Sequence, residues 1–405
     1  MLKDNAFILP LGMVLGGVTT WSIKMIQKLQ EVDTPAILIK HSEPNYERQI
    51  PLPSTVKSTS CLGKPAYQAR TEDIISYLPT YHSVLPATFI PNWSADTYAT
   101  CALLNLTQSQ DMRVIGFAHT DEDDYYEWLQ YYESIIHAFV AVSLDIEAKL
   151  KLILPHRVND IYVRPCAVDV PIELVEKSQT GSPICLMYAG RITNKQKRIY
   201  DLLNLIQKLE KAEVDYFFRI VGDGGEKDWL NEQLQSLPNN AQRRVKLENT
   251  VPPEQIANLW KESDVCILVS EYEGTSISML EAMAQGCVPV TTNVSGTAAV
   301  IKNGVNGFTV PVGDIEAMSQ IIKELADNRE SIKEISREAY QTVKTYFSFE
   351  DYIPWFQELI STVWEKPPLQ WNNERSVFLK KADEPVRKRS LLERLRKLKK
   401  LIYTP

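Results

Sequence analysis

Short apolar runs alternate with amphipathic stretches of helical period along most of the chain, the pattern of parallel sheets covered by helices. In the first half the expected strands are Phe7–Leu11, Ala36–Lys40, Thr88–Pro91, Val114–Ala118, Phe139–Ser143 and Ile161–Arg164. Helical patterns fall between most of them, notably Thr20–Gln30, Ala95–Leu106 and Tyr125–His137. The polar, proline-containing stretch from His41 to Ala69 reads as a long irregular loop region, often functional in a compact domain. The pattern breaks after Pro165, and Asp169–Pro183, with two prolines and a Ser-Gln-Thr-Gly-Ser run, reads as an interdomain linker. A second series follows, with expected strands Ile184–Tyr188, Tyr216–Val221, Val245–Leu247, Val265–Val269, Pro289–Thr292 and Phe308–Val310. Its expected helices include Tyr200–Lys211, Pro253–Glu262, Ser278–Gln285 and Ile315–Asn328, and Phe349–Trp364 closes the series as a long amphipathic helix. The expected architecture is α/β with two doubly wound Rossmann-like domains. Residues 1–168 form the first and 184–346 the second, joined by a linker at 169–183; a long helix over 347–366 and a polar, then basic, tail over 367–405 follow.

Composition narrows this picture. A chain of 405 residues with 44% hydrophobic and 23% charged positions has ample apolar surface for two or three cores, which excludes wholesale disorder. The net charge of −7 argues against a nucleic-acid partner, but the charge is uneven. Arg387–Lys400 holds eight basic residues against Glu393 alone, a local balance of +7 that leaves −14 for the rest. Leu391, Leu392, Leu395, Leu398 and Ile402 share one helical face there, so segment 387–402 is expected to contact an anionic membrane or to fold against the acidic body. The six cysteines show no CxxC pair or metal-ligand spacing and read as buried small hydrophobes in a reducing compartment. The apolar run Ala6–Val18 is broken by Pro10 and three glycines and is shorter than the ~20 residues that cross a bilayer. A cytoplasmic location follows, with the basic tail offering contact at the inner face of the membrane.

Three stretches suit a phosphate. Gly12–Val18, after the first strand, contains Gly16 and Gly17 at a helix start, where backbone N–H groups can approach an anion. It lacks the GxGxxG fingerprint, and the second strand ends in Lys40 rather than an acid, which disfavours NAD. Tyr188–Arg198 places Arg191 and Lys197 across a strand-to-helix turn, so both can converge on one anion. Ser270–Ala284 carries Glu273 and Glu281 on either side of a helix start. As continuous helix the eight-residue step spans about 12 Å, the reach from sugar to ribose across a diphosphate. Each stretch also has a plain reading, as a tight turn, a solvated basic turn and two ordinary acids. His119 follows the strand Val114–Ala118 and, at its ordinary pKa near 6.5, can donate or accept a hydrogen bond. The acids Asp121–Asp124 contain an Asp-x-Asp that suits a divalent ion, but they also suit the start of a helix; no metal site is assigned.

Together these stretches resemble family 4 of the retaining glycosyltransferases (glycosyl transferases group 1), which have the GT-B fold: two Rossmann-like domains facing a central cleft, with a closing helix, here 347–366, implied to cross back and pack on the first domain. The resemblance rests on Glu-x7-Glu (Glu273 to Glu281), Gly-Arg-x5-Lys (Gly190, Arg191, Lys197), Val221–Gly224, Asn303–Phe308 and the Gly16–Gly17 pair. It implies that Arg191 and Lys197 bind the diphosphate of a nucleoside-diphosphate sugar, Glu281 the ribose hydroxyls and Glu273 the transferred sugar. Gly274, Thr275 and Ser276 meet the donor through backbone, Gly16 and Gly17 approach the phosphate from the other domain, and His119 contacts the sugar. Glu273 and His119 are the implied catalytic pair. No bound cofactor or metal is implied, and the acceptor is a hydroxyl on a glycan, a lipid-linked molecule or a protein. Thr275–Ser276 departs from the aromatic and glycine common in the family, which implies an altered sugar pocket. Two alternatives share the fold: a nucleotide-sugar epimerase or hydrolase, and a non-catalytic partner subunit, the latter disfavoured by the intact Arg191, Lys197, Glu273, Glu281 set.

Overall fold

A computed structural model of the chain describes residues 3–41, 50–61, 71–174, 176–177, 182–372 and 374–379. The apolar runs of the first half form a parallel sheet of β1 (Asp4–Leu9), β2 (Ala36–Lys40), β3 (Ser58–Ser60), β4 (Ala87–Ile90), β5 (Met112–Ala118), β6 (Ala138–Ala141) and β7 (Ile161–Val163). Its order is β3-β2-β1-β4-β5-β6-β7. Between the strands run α1 (Gly17–Glu31), α2 (Thr71–Ser76), α3 (Leu78–His82), α4 (Ala95–Gln108), α5 (Asp123–Tyr131) and α6 (Leu144–Ile153). The second sheet holds β8 (Ile184–Ala189), β9 (Tyr216–Val221), β10 (Val245–Glu248), β11 (Val265–Leu268), β12 (Val288–Thr292) and β13 (Phe308–Val310) in the order β10-β9-β8-β11-β12-β13, again all parallel. Its helices are α7 (Ile199–Lys211), α8 (Lys227–Gln235), α9 (Asn239–Arg244), α10 (Pro253–Lys261), α11 (Ile277–Ala284), α12 (Ser295–Ala298), α13 (Ile315–Asp327) and α14 (Arg329–Tyr346). Every residue of β5 and β12 is buried, as parallel strands covered on both faces require.

Two separate cores result, one per sheet. The last helix, α15 (Phe349–Glu365), follows the second sheet in sequence yet packs into the first core. Phe349, Tyr352, Ile353, Phe356, Leu359 and Val363, at three- and four-residue spacing, lie against α1 and the first strands. Ser348 caps it by accepting from the Asp351 N–H at 3.4 Å. The chain then stays on the first domain: Trp371 is buried beside Tyr132, whose hydroxyl donates to the Val377 carbonyl at 3.1 Å.

Two expectations need correction. The stretch read as loop between His41 and Ala69 contributes β3, a short exposed edge strand whose Ser-Thr-Ser sequence has no apolar run to betray it. The helix expected over Tyr125–His137 starts at Asp123 and stops at Tyr131, because Glu133–Ile135 turns more tightly and feeds β6 at Ala138. Residues 42–49 and 62–69 of that stretch and the whole 387–402 segment lie outside the described residues. Among those residues no helix is long and apolar enough to cross a membrane.

Candidate active site

Open parallel sheets present their ligand-binding loops at the carboxyl ends of the strands, where the strand order reverses. Here β1–β4 and β8–β11 are those switch points, and the loops leaving both sheets meet. After β1 the chain turns at Gly12, whose φ of 64° favours glycine, and enters α1 with extended Gly16 as its cap. After β11 the loop Val269–Ser276 enters α11. Neither helix start has a side-chain cap or an acid in its first turn, so the free N–H groups and the positive dipole end of each are unopposed by protein charge. The two starts abut: a Cβ on Gly17 would lie 3.2 Å from Ile277 Cδ1.

The Gly190–Arg198 turn is fastened to the loop after β11. Glu271 N–H donates to the Gln196 carbonyl at 2.8 Å, and the Gln196 amide donates to the Tyr272 carbonyl at 3.3 Å. Lys197 Nζ pairs with Glu273 Oε1 at 2.5 Å, both side chains being nearly sealed from water (13% and 7% exposed). Ser270 donates to the same carboxylate oxygen at 2.6 Å, and Thr292 donates to the Ser270 carbonyl at 2.6 Å. Arg191 is exposed and its guanidinium donates to the Gln196 side chain. The cation expected on the diphosphate and the acid expected on the sugar are therefore each other's partners: Lys197 sits on Glu273. The helical step between Glu273 and Glu281 is corrected, since α11 begins only at Ile277 and residues 273–276 are loop.

Gly274 lies between the domains. A Cβ there would meet the His119 carbonyl oxygen at 1.9 Å, while a Cβ on Gly296 would meet Gly274's own oxygen at 1.3 Å. Backbone thus packs on backbone on both sides, which only glycine permits. Thr275 is a clasp: its hydroxyl donates to the Val142 carbonyl at 2.8 Å and accepts from Cys166 N–H at 3.4 Å. Its side chain is thereby committed to the first domain. Ser276 is buried with its hydroxyl 3.5 Å from that of Ser278. Tyr272 donates to Glu122 at 2.9 Å, and Ser143 and Ser295 share a 3.0 Å hydrogen bond, closing the seam on either side.

His119 is buried and its pKa is driven down to about 3 by desolvation, against the ordinary value assumed from sequence. Its ring stacks on Phe117 and meets Trp21 edge-on, and Nε2 is 2.9 Å from Asn92 Oδ1. Glu281 is partly buried on α11, and its carboxylate has neither a hydrogen bond nor an ion pair among the described residues. Desolvation raises its carboxyl to about 7, opposed by the field of Lys24 and supported by that of Asp169. The acids considered for a metal diverge instead: Asp121 pairs with Lys149 at 2.6 Å, Glu122 takes the Tyr272 hydroxyl, and Asp123 and Asp124 open α5. Among the described residues no group of three or more His, Cys, Asp or Glu side chains is clustered. Asn92, Ser270 and Tyr272 were passed over in the sequence, although an asparagine after proline at a strand's carboxyl end is a usable signal for a left-handed turn.

Residues 173–342 match the family described as Glycosyl transferases group 1. Two curated relatives are glycogen synthase of Mycobacterium tuberculosis, 24% identical over 43% of this chain and 41% of the relative, and N-acetyl-alpha-D-glucosaminyl L-malate synthase of Bacillus anthracis, 28% identical over 41% and 42%. The chain spans about two fifths of the length of those relatives. Among solved structures, Anabaena HepE in complex with UDP-glucose superposes with a TM-score of 0.70 at 15% identity, over 90% of this chain and all of that one. S. aureus TarM, solved with UDP among its ligands, superposes with a TM-score of 0.71 at 13% identity, over 90% and 100%. The family match and the relatives support the Glycosyl transferases group 1 family, and the fold is GT-B.

Proposed function

We propose that the protein is a retaining, metal-independent glycosyltransferase that moves a sugar from a nucleoside diphosphate to a hydroxyl acceptor. The observation that carries this reading is the abutment of two uncapped helix starts, α1 and α11, at the seam where both sheets end. Breaking the sugar–phosphate bond leaves its electron pair on the diphosphate, and preplaced donors must stabilise that charge. The helix starts, Arg191 and Lys197 supply positive field there without a divalent ion. An ammonium has three donors, so Lys197 can hold Glu273 and a phosphate oxygen together. Backbone N–H groups of Gly17, Gly274, Thr275 and Ser276 line the same seam. Glu273 receives the sugar hydroxyls and His119 meets the sugar from the first domain. The acceptor oxygen forms the new bond while its proton passes to a diphosphate oxygen. Retention of configuration rests on the family resemblance, and the relatives' names, one for glycogen and one for L-malate, leave the acceptor a hydroxyl of unspecified carrier.

The reading is tested by a thermal-unfolding panel of UDP, GDP, ADP and NAD. A nucleoside diphosphate at 100 times its Kd should stabilise the protein by about 2.7 kcal/mol. A response to NAD with none to any nucleoside diphosphate overturns the proposal.

Glu281 gives the reading a pH signature. An ionised carboxylate accepts from two ribose hydroxyls, whereas the neutral acid must spend one oxygen as a donor. With its carboxyl at about 7, the ionised fraction rises about tenfold from pH 6 to pH 8, and donor affinity should rise with it. Glu281→Gln should flatten that dependence in a titration of donor binding. Stability moves the other way: the folded state keeps a proton that the unfolded chain loses near pH 4.5, so stability present at low pH is lost as pH rises through 7. The glutamine variant should therefore unfold later than the parent at pH 8, by on the order of 1–3 kcal/mol.

A further inference from the structure

Asn92 ends β4 beside the carboxyl ends of β1 and β5, fully buried, with a φ of 56°. Asparagine tolerates this left-handed conformation better than other non-glycine residues. Its side chain is fully specified. Nδ2 donates to the Ile8 carbonyl at 3.0 Å and lies 3.2 Å from Ser22 Oγ. A flipped amide would set two carbonyl oxygens against each other, so Ile8 fixes which atom faces His119. That atom is Oδ1, which can only accept, and the ring nitrogen 2.9 Å away, Nε2, must carry the proton. A neutral imidazole has one N–H, so Nδ1 holds a lone pair. Nδ1 has no hydrogen bond among the described residues, and the backbone of the same residue reaches the seam, where its carbonyl oxygen lies against Gly274.

We propose that Asn92 is a positioning residue that locks His119 as the neutral Nε2–H tautomer and thereby presents Nδ1 to the donor sugar as an obligate hydrogen-bond acceptor. The inference rests on the donor-sugar role proposed for His119 and deepens it. A sugar hydroxyl satisfies such an acceptor by donating to its lone pair. The other rings around His119 are Trp21, Phe117 and Tyr125, none of which carries a charge at neutral pH. Burial keeps the imidazole uncharged, with its pKa lowered to about 3.

The deciding measurement is a long-range proton–nitrogen correlation spectrum of the unliganded protein, with the His119 signals assigned by their loss in His119→Gln. The expected pattern is a neutral ring protonated at Nε2 and unchanged from pH 5.5 to 8. A ring protonated at Nδ1, or one that titrates in that range, overturns the proposal. Asn92→Asp keeps the shape but sets a carboxylate on Nε2, so His119 should now titrate within this range and donor turnover should fall at least tenfold at pH 6 and recover above pH 8. A variant whose His119 stays neutral and whose pH profile matches the parent also overturns it. Failure to bind any of UDP, GDP or ADP counts against the nucleotide-sugar reading itself, because the tautomer is read without ligand.

Discussion

Gly274→Ala should fold with nearly the parent's stability and lose donor turnover by about a hundredfold or more. The added methyl would lie 1.9 Å from the His119 carbonyl oxygen, and contacts below 3.0 Å do not occur, so the two must part by more than about 1 Å. Neither side can yield cheaply. The His119 carbonyl belongs to the turn leaving β5, and Gly274 cannot retreat because its own oxygen is pressed by Gly296. The displacement must be taken up between the domains, where Thr275 holds Val142 and Tyr272 holds Glu122. A reacting geometry displaced by 1 Å typically loses about a hundredfold in rate. Stability should change by less than about 1 kcal/mol, because each sheet keeps its own core and Gly274 does not need a left-handed backbone. The pair of measurements is kcat/KM with the saturating donor and the urea midpoint. Undiminished turnover would show that contact between Gly274 and His119 is irrelevant to catalysis.

What was legible in the sequence was what hydrophobic period encodes. Fully buried parallel strands such as β6 and β11 announce themselves as continuous apolar runs, and α15 does so by its three- and four-residue spacing. The period cannot say where a helix docks, and only the resemblance suggested that α15 returns to the first domain. Elements without apolar content escaped: β3 is Ser-Thr-Ser, held by backbone pairing to β2 alone. At the candidate site, the motif residues could be named but their mutual contacts could not. Spacing along the chain could assign Lys197 to a diphosphate and Glu273 to a sugar, but it could not show that the two are joined across 76 residues by a 2.5 Å ion pair. The pKa values of His119 and Glu281 were equally hidden, because burial depends on what the other domain brings to the seam. Asn92 acts through a left-handed turn and a buried amide, neither of which has a periodic signature.

The same ion pair carries the second large effect. Lys197→Met should destabilise the protein by about 3–5 kcal/mol, since removing one partner leaves a buried charge uncompensated. Glu273 would retain only the Ser270 hydroxyl at 2.6 Å as a neutral donor, too little to offset the desolvation of a carboxylate 7% exposed. Glu273→Gln in the same background removes the stranded charge, so the double variant should regain much of the lost stability. Activity should not follow stability. If Lys197 also holds the donor diphosphate, the single variant should lose donor turnover by at least a hundredfold, and the double variant, which lacks both the cation and the carboxylate proposed for the sugar, should not regain it. Urea unfolding of the four proteins in the double-mutant cycle gives the coupling energy, and initial rates on the same samples give the catalytic cost. A coupling energy near zero would mean that the pair contributes little to the fold. Recovery of turnover in the double variant would make Lys197 a counter-ion of Glu273 alone and remove it from the phosphate site.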